Sequence, residues 1–244
     1  MNNKGILYLA FGEEYINLAK QTIAYSRKFT NLDMAIITNR PVDESWLVSN
    51  NVNNILLDRD DNDNRDIKTS LINYTPFHTT MFIDVDAVIV KNGVESLYSG
   101  VSDGTIIMNK YHTWKVGEKY FNIYRDTIKK FKIKLPVDIY NGAFIVFNKS
   151  KETKDFFNKW NNNWSLMGKG RDMPLLCCAV KQTGIKVLNT TGFSPKGDED
   201  KIILHPCVRG SGESVLSKFG INEHKQNKPF DKNNPKDWCK VYYG

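Results

Sequence analysis

One strand-like apolar segment of this chain carries two carboxylates in its middle. Residues 79–90 read TTMFIDVDAVIV, so Asp84 and Asp86 are enclosed by apolar runs on both sides. An unpaired carboxylate is costly to bury, and a hard divalent cation such as Mg²⁺, Mn²⁺ or Ca²⁺ is the usual partner that offsets this cost. The segment therefore predicts a buried strand that leads into a metal-assisted site.

The spacing of this pair is not informative by itself, because Asp-x-Asp recurs in polar segments. The other pairs are Asp58/Asp60, Asp61/Asp63 and Asp198/Asp200. The first of these begins like a calcium-binding loop, but the sixth position is Asp63 instead of glycine and the twelfth is Thr69 instead of glutamate. We expect a surface loop there, and we assign the metal site to Asp84 and Asp86.

The composition favours a globular protein with an anionic partner. The chain has 244 residues, of which 41% are hydrophobic and 25% charged, enough for a large buried core. Its net charge of +7 favours a nucleotide, a phosphate or nucleic acid as partner. Because the lysines are dispersed, a phosphate-bearing small substrate fits this charge as well as nucleic acid does.

The sequence also predicts a cytoplasmic protein. No apolar run approaches the roughly 18 residues that cross a bilayer, and the first 14 residues turn acidic too soon for a signal peptide. The cysteines have no zinc-site spacing, and the adjacent pair Cys177 and Cys178 argues against a disulfide framework. We expect no transmembrane segment and a reducing compartment.

Hydrophobic periodicity predicts an α/β sandwich with a mostly parallel sheet. Strands are predicted at residues 5–11, 33–38, 54–57, 79–84, 104–108, 142–147, 185–188 and 201–204, and helices at 13–29, 65–73, 151–160 and 172–182. A polar, aromatic-rich insertion occupies residues 109–138. We predict a catalytic domain over residues 1–210, with a nucleotide-binding half over about 1–90 and an acceptor half over about 91–210. A tail or lid follows at residues 211–244.

Ligands of open α/β sheets bind at the carboxyl ends of strands, near a change in strand order. The aspartate pair ends one predicted strand, and a loop at residues 10–14 ends the first strand. We therefore expect the two segments to face one crevice. This loop has a single glycine, and neither GxGxxG nor GxxxxGK[ST] occurs in the chain.

Four segments, in this order, resemble the nucleotide-sugar glycosyltransferases of the GT-A fold, specifically family 8, the glycogenin and bacterial galactosyltransferase group. The segments are YLAFGEEYINLAKQTIAYS at 8–26, RDIKTSLINYTPFHTTMFIDVDAVIV at 65–90, YNGAFIVFN at 140–148 and GRDMPLLCCAV at 170–180. They are similar to the family's first strand and helix, its Asp-x-Asp strand, its Asn-Ser-Gly strand and its Asp-Gln-x-x-Leu helix. The resemblance implies a GT-A type Rossmann-like sandwich with a mixed, mostly parallel sheet.

The resemblance also implies roles for individual residues. Asp84 and Asp86 would bind Mn²⁺ or Mg²⁺ on the donor diphosphate. The base would be held by Ala10, Phe11 and Tyr15, and the donor phosphate or sugar would be met by Lys68 and Arg65. Asn141 and Asp172 would line the sugar and acceptor site as catalytic residues.

The third metal ligand implied by the resemblance is a late histidine. We prefer His205, which follows the strand-like KIIL, and His224 is the alternative because Lys228-Pro229-Phe230 lies close to it. Arg209 or Lys228 would close on the diphosphate.

The implied function is metal-dependent transfer of a hexose from a nucleotide-diphosphate sugar, UDP-glucose or UDP-galactose, with retention, to an unidentified carbohydrate, lipid-linked or protein acceptor. One alternative is a haloacid-dehalogenase-type phosphatase, although its aspartate pair normally closes the first strand. The other is a non-catalytic nucleotide-binding or nucleic-acid-binding protein, which would not need a buried aspartate pair, and we do not expect nucleic acid as a partner.

Each site residue also has a purely structural interpretation. The aspartate pair can cap or salt-bridge a strand end, and Tyr15 can pack on the sheet. Asp172 can serve as a helix N-cap, and Asn141 with Gly142 can form a turn. In the polar insertion, Trp114 is a candidate platform for an acceptor sugar.

Overall fold

A seven-stranded mixed sheet lies at the centre of the computed structural model, which describes residues 4–115, 122–168, 170–194, 198, 200–205 and 215–221. The strands in these ranges are β1 Lys4–Ala10, β2 Asp33–Thr38, β3 Val52–Leu56, β4 Thr79–Ile83, β5 Val88–Ile89, β6 Thr105–Trp114, β7 Val137–Asn148, β8 Lys186–Asn189, β9 Phe193–Ser194 and β10 Ile203–Leu204. The α-helices are α1 Glu13–Ser26, α2 Glu44–Asn50, α3 Asn64–Lys68, α4 Asn122–Lys130, α5 Lys151–Leu166 and α6 Met173–Thr183. Single 3-10 turns occur at Asp61–Asp63, Leu71–Asn73, Val94–Tyr98 and Val215–Phe219.

The order of the strands places a switch point between β1 and β4. The sheet order is β3-β2-β1-β4-β7-β6-β8, and the first four strands in this order are parallel. Strand β7 runs antiparallel to both β4 and β6, and β8 is parallel to β6. The predicted mixed, mostly parallel sheet is confirmed. Strands β2 and β3 lie on one side of β1 and β4 lies on its other side. The carboxyl ends of β1 and β4 therefore border the natural ligand crevice.

Both faces of the sheet are covered, which explains why its strands are continuously apolar. On one face, Ile6 and Tyr8 pack with the inner side of α1. On the other face, Leu7 and Phe82 pack with aromatic residues of α5 and with α6. Neighbouring residues of β1 thus point to opposite faces, as the period of a strand requires, and both sides contribute to the buried core.

A second, three-stranded sheet lies beside the first, in the order β5-β10-β9. Strand β10 is antiparallel to β5 and parallel to β9. The 3-10 turn Val215–Phe219 covers this sheet, because Leu216 and Ile221 are buried against Val88 and Leu204. This part of the predicted tail therefore packs on the fold, while the predicted domain boundary at residue 210 remains a prediction.

Several predicted elements differ from the observed ones. Helix α1 ends at Ser26 instead of residue 29, α5 extends to Leu166, and the predicted helix 65–73 is divided into α3 and the 3-10 turn Leu71–Asn73. The short helix α2 was not predicted, and the last predicted strand is reduced to two residues. Both ends of the predicted insertion 109–138 belong to the long strands β6 and β7, because cross-strand pairing continues from Asn109 to Trp114.

No helix within the described ranges combines the length and the apolar character needed to span a membrane.

The adjacent cysteines of α6 are core residues. Cys177 and Cys178 are free thiols and both are buried. Burial raises the pKa of each thiol to about 12, so neither forms the reactive thiolate at neutral pH. The other two cysteines, Cys207 and Cys239, lie outside the described residues.

We expect both thiols to resist alkylation in the folded protein. Treatment with iodoacetamide at mildly alkaline pH should modify the peptide containing Cys177 and Cys178 at less than roughly a tenth of its rate in urea, because thiolate formation and access are both suppressed. Peptide mass spectrometry measures the rate. Equal labelling of folded and unfolded protein would contradict the buried placement of α6.

Candidate functional site

The aspartate pair forms a tight turn at the carboxyl end of β4. The Ala87 amide donates to the Asp84 carbonyl at 2.9 Å, and the Asp84 amide donates to the Ala143 carbonyl of β7 at 3.0 Å. Val85 and Ala87 are buried, whereas Asp84 and Asp86 are partly exposed. Buried and partly exposed residues thus alternate along the turn. The buried apolar side chains anchor it, and both carboxylates stay accessible from the crevice.

His205 reaches this turn through the second sheet. The antiparallel register pairs Leu204 with Val88, so the residue after β10 lies opposite the segment that follows Asp86. The Nε2 atom of His205 is 3.3 Å from the Oδ1 atom of Asp86. One potential ligand atom from each of Asp84, Asp86 and His205 lies within 4.8 Å of the others. The structure thus brings the preferred histidine to the pair, and the alternative, His224, lies outside the described residues.

This cluster has the donor chemistry of a divalent cation site. Two carboxylates and one imidazole suit a first-row divalent ion such as Mn²⁺, and the carboxylates also suit Mg²⁺. The side chains of Asp84, Asp86 and His205 are 27%, 40% and 15% exposed. An ion can therefore reach them from the crevice, and the donor set fits the expected metal without identifying it.

Lys68, at the end of α3, supplies a fixed positive charge to the crevice. Its Nζ atom donates to both carboxylate oxygens of Asp84, at 2.7 and 2.9 Å, and lies 4.0 Å from Oδ2 of Asp172. Burial alone would lower the pKa of Lys68, but the charges of Asp84 and Asp172 outweigh it and raise the pKa. Lys68 therefore stays protonated at neutral pH.

The two aspartates differ in their electrostatic environment. Burial raises the pKa of Asp84, and Lys68 offsets only part of this effect. Burial also acts on Asp86, but His205, through its charge and a hydrogen bond, and Lys68 together lower the pKa of that carboxyl. A bound cation would favour the ionised form of both groups.

Asp172 occupies the N-cap position of α6, yet its side chain serves the crevice. Among the described residues, its carboxylate accepts no capping hydrogen bond. Its Oδ1 atom lies 4.0 Å from Nε of Arg65, and its Oδ2 atom lies the same distance from Lys68. The main chain is held separately, because the Asp172 carbonyl accepts from Nε1 of Trp160 at 3.0 Å. The prediction of a side-chain cap is therefore wrong for this residue.

Asn141 lies in a bulge of β7 instead of the predicted turn. The register to β6 shifts after Met108, so that Asn109 pairs with Asn141. The Asn141 Oδ1 atom accepts from the Ala143 amide at 2.8 Å, and its Nδ2 atom donates to the Tyr111 hydroxyl at 2.9 Å. The Asn141 side chain thus stabilises the bulge, and the Ala143 carbonyl of this bulge accepts from the Asp84 amide. The sequence did not indicate the contact between Asn141 and Tyr111.

Gly142 forms part of the floor between the charged groups. A Cβ atom added at Gly142 would lie 3.8 Å from Oδ2 of Asp172 and 3.9 Å from Cε of Lys68. The missing side chain therefore leaves open the space beside the Asp172 carboxylate and the Lys68 side chain.

The predicted base-binding residues lie at the end of β1 and at the start of α1. Ala10 and Phe11 are buried, whereas Tyr15 is 42% exposed. The pKa of the Tyr15 phenol is raised by partial burial and then by the charges of Glu14 and Asp86. Tyr15 is therefore only partly packed against the protein, and its role in binding the base stays a prediction.

The loop after β1 depends on residues that the sequence analysis missed. Gly12 has a left-handed φ of 84°, a conformation that favours glycine, and its amide donates to Oδ1 of Asn39 at 2.9 Å. Asn39 in turn donates to Asp61 at 2.7 Å. Asn39 could have been found from its position, because it directly follows β2 at the edge of the sheet where ligands bind.

Other predicted residues have different outcomes. Arg65 is half-exposed and lies near Asp172, whereas Arg209 and Lys228 lie outside the described residues. Trp114 is buried and makes an edge contact with Tyr124, with ring centroids 6.3 Å apart. The expectation of an acceptor platform at Trp114 is wrong, because the ring belongs to the core.

The contrast between two N-cap aspartates gives a prediction. Asp43 of α2 accepts a hydrogen bond from the Trp46 amide at 2.8 Å, whereas Asp172 makes no such bond among the described residues. Asp43→Ala should lower the free energy of unfolding because it removes a capping hydrogen bond, and Asp172→Ala should lower it by less. Urea denaturation followed by circular dichroism measures both. A larger loss for Asp172→Ala would mean that its carboxylate has a structural role.

Comparison with known proteins supports the fold. No protein-family model and no curated protein matches the sequence. Among solved structures, the bifunctional glycosyltransferase WbbM in its apo form is 12% identical with a TM-score of 0.55, and the alignment covers 86% of this chain and 46% of that one. The chain therefore spans less than half of WbbM.

Two further structures match over most of their own length. The galactosyltransferase LgtC, in complex with donor and acceptor sugar analogues, is 11% identical with a TM-score of 0.56, and the alignment covers 84% of this chain and 87% of LgtC. Mouse xyloside xylosyltransferase 1, in its apo form, is 11% identical with a TM-score of 0.54, and the alignment covers 83% of this chain and 97% of that one. The chain therefore has the GT-A fold of these glycosyltransferases.

Proposed function

We propose that this chain is a metal-dependent glycosyltransferase. It transfers a hexose from a nucleotide-diphosphate sugar, UDP-glucose or UDP-galactose, to a carbohydrate, lipid-linked or protein acceptor, with retention of configuration. The observation that carries the proposal is the convergence of Asp84, Asp86 and His205 beside Lys68, at the carboxyl end of β4. The fold shared with LgtC, a galactosyltransferase bound to donor and acceptor sugar analogues, supports the same function.

The crevice suits the charge that develops during the reaction. Breaking the bond between the sugar and the diphosphate leaves negative charge on the departing nucleotide. A divalent cation held by Asp84, Asp86 and His205 would supply electrophilic stabilisation of that charge when bound. Lys68 contributes a permanent positive charge at the same place, because its ammonium group is fixed by Asp84 at 2.7 Å and stays protonated.

The nucleoside would bind beside β1. Ala10 and Phe11 are buried at the end of this strand and form a rigid wall, while Tyr15 offers an exposed aromatic ring. Stacking of a base on an aromatic side chain is favourable for every base. Stacking on Tyr15 would therefore contribute affinity for the nucleotide without selecting one base over another.

The sugar would lie over Gly142, beside Lys68 and Asp172. The carboxylate of Asp172 is free of capping bonds among the described residues, so it can accept hydrogen bonds from sugar hydroxyl groups. Asn141 would act by fixing the bulge below the sugar, since its amide is engaged by Ala143 and Tyr111. In this proposal Asp172 contacts the substrate and Asn141 positions the floor.

Neither alternative accounts for the crevice as well. A haloacid-dehalogenase-type phosphatase would carry its aspartate pair after the first strand, whereas here the pair follows β4. A protein that only binds nucleotides or nucleic acid could use the net charge of +7, but it would not require two partly buried carboxylates beside a histidine.

Removal of one carboxylate tests the proposal. Wild-type protein should bind UDP-glucose or UDP-galactose at least about tenfold more tightly with Mn²⁺ than without it, and Asp86→Asn should lose this enhancement, since the replacement weakens the charge-dependent cation site. Isothermal titration calorimetry measures the affinities, and slow donor hydrolysis can be followed in parallel.

Asp200→Asn is a matched control for this experiment. Asp200 belongs to another Asp-x-Asp pair but is 69% exposed and paired with Lys201, so its replacement should leave donor binding unchanged. If no UDP- or GDP-sugar binds differently with and without Mn²⁺, the glycosyltransferase proposal fails. Hydrolysis of a generic phosphomonoester that is lost in Asp84→Asn would favour the phosphatase instead.

Substitution of Tyr15 tests the base-binding role. Tyr15→Ala should weaken UDP binding by about tenfold, because stacking contributes about 1–3 kcal/mol per base. Tyr15→Phe keeps the aromatic face and should retain the wild-type affinity. Since Tyr15 is 42% exposed, both variants should fold normally. Unchanged UDP affinity in Tyr15→Ala, measured by calorimetry, would place the base elsewhere.

A further inference from the structure

Helix α1 holds the aspartate turn through two buried hydroxyl groups. Thr22 and Ser26 are fully buried on the apolar inner side of the helix, where an unpartnered hydroxyl would be costly. The Thr22 hydroxyl donates to the Val85 carbonyl at 2.8 Å, and the Ser26 hydroxyl accepts from the Ile89 amide at 3.0 Å. The helix therefore forms hydrogen bonds with the backbone at Val85, immediately before Asp86, and at Ile89, three residues after it.

The Thr22 contact controls the peptide group that carries Asp86. The Val85 carbonyl and the Asp86 amide belong to one planar unit, so fixing the carbonyl also fixes the direction in which the chain enters Asp86. Burial of the Val85 and Ala87 side chains keeps the turn from rotating. The Asp86 side chain itself is 40% exposed, so its direction depends strongly on the backbone beneath it.

The hydroxyl of Thr22 is not needed to fill space. Valine has nearly the same shape as threonine and is also β-branched, so it would occupy the same place against the sheet. What valine cannot supply is the donor to the Val85 carbonyl. The polar choice at an otherwise apolar position of α1 therefore points to a role in orienting the turn.

We infer that Thr22 is a positioning residue that aims Asp86 at the cation bound by Asp84, Asp86 and His205. The inference rests on the proposed metal site and adds a residue that does not touch the ion. Groups that orient metal ligands typically change metal affinity by 10–100-fold when they are removed. Thr22 holds the peptide group that leads directly into Asp86. Ser26 holds the Ile89 amide, three residues beyond Asp86, where pairing of Ile89 with Ile203 also fixes the chain.

The test is titration of the purified protein with Mn²⁺ alone, followed by electron paramagnetic resonance of the free ion. We expect Thr22→Val to bind Mn²⁺ at least about tenfold more weakly than wild type. Thr22→Ser keeps the donor and should remain within about threefold of wild type. Ser26→Ala removes a buried hydrogen bond from the same helix, and it should lower the thermal midpoint while keeping Mn²⁺ affinity within about threefold. Circular dichroism under the same conditions shows that each variant is folded.

Each outcome supports or contradicts the positioning role of Thr22. If wild type binds Mn²⁺ and Thr22→Val binds it equally well, the positioning role is wrong while the metal site stands. If Ser26→Ala weakens binding as much as Thr22→Val, general loosening of α1 explains the loss and the inference is also wrong. If wild type does not bind Mn²⁺, the inference and the metal dependence of the proposed function fail together. Should Thr22→Val not fold, Thr22→Ala replaces it with the same expected loss.

Discussion

The ion pair between Lys68 and Asp84 is the interaction on which the crevice depends. Breaking a buried pair leaves an uncompensated charge, which is far more costly than the pair itself is stabilising. Asp172 adds a second carboxylate near Lys68, and Arg65 lies near Asp172 in turn. With Asp86 included, this end of the crevice holds three carboxylates and the two cationic side chains Lys68 and Arg65. When His205 is neutral, as coordination of a metal requires, the remaining excess of negative charge favours a divalent cation at the aspartate turn.

The sheet topology brings these charges together from distant parts of the chain. Strand β4 lies between β1, which carries the loop toward Tyr15, and the antiparallel strand β7. The bulge of β7 then lets the Ala143 carbonyl accept from the Asp84 amide at 3.0 Å. The second sheet delivers His205 from the opposite side through the pairing of Leu204 with Val88. Strand register thus brings the three potential metal ligands together.

Sequence reasoning identified the residues whose chemistry conflicts with their local context. Asp84 and Asp86 were recognisable because carboxylates interrupt an apolar strand, and the strand-helix alternation gave the architecture. Thr22, Asn39 and Tyr111 could not be found in this way, since each looks ordinary in its own segment and matters through a partner 27 to 63 residues away. Asp172 was placed correctly at a helix start, but its side chain does not cap the helix. Pro174 has no amide hydrogen, and the Leu175 amide donates to the Asp172 carbonyl instead of the carboxylate.

The contacts of Lys68 also explain how one carboxylate can serve both a lysine and a metal ion. Both oxygens of Asp84 accept from Lys68, yet an ionised carboxylate offers about four lone-pair sites, so coordination of a cation does not require Lys68 to leave. Burial raises the pKa of Asp84, and each added positive charge reverses that shift. Lys68 and the cation would then present two adjacent positive charges to a diphosphate. Because these groups are fixed before the donor arrives, little reorganisation would be needed when the sugar bond breaks.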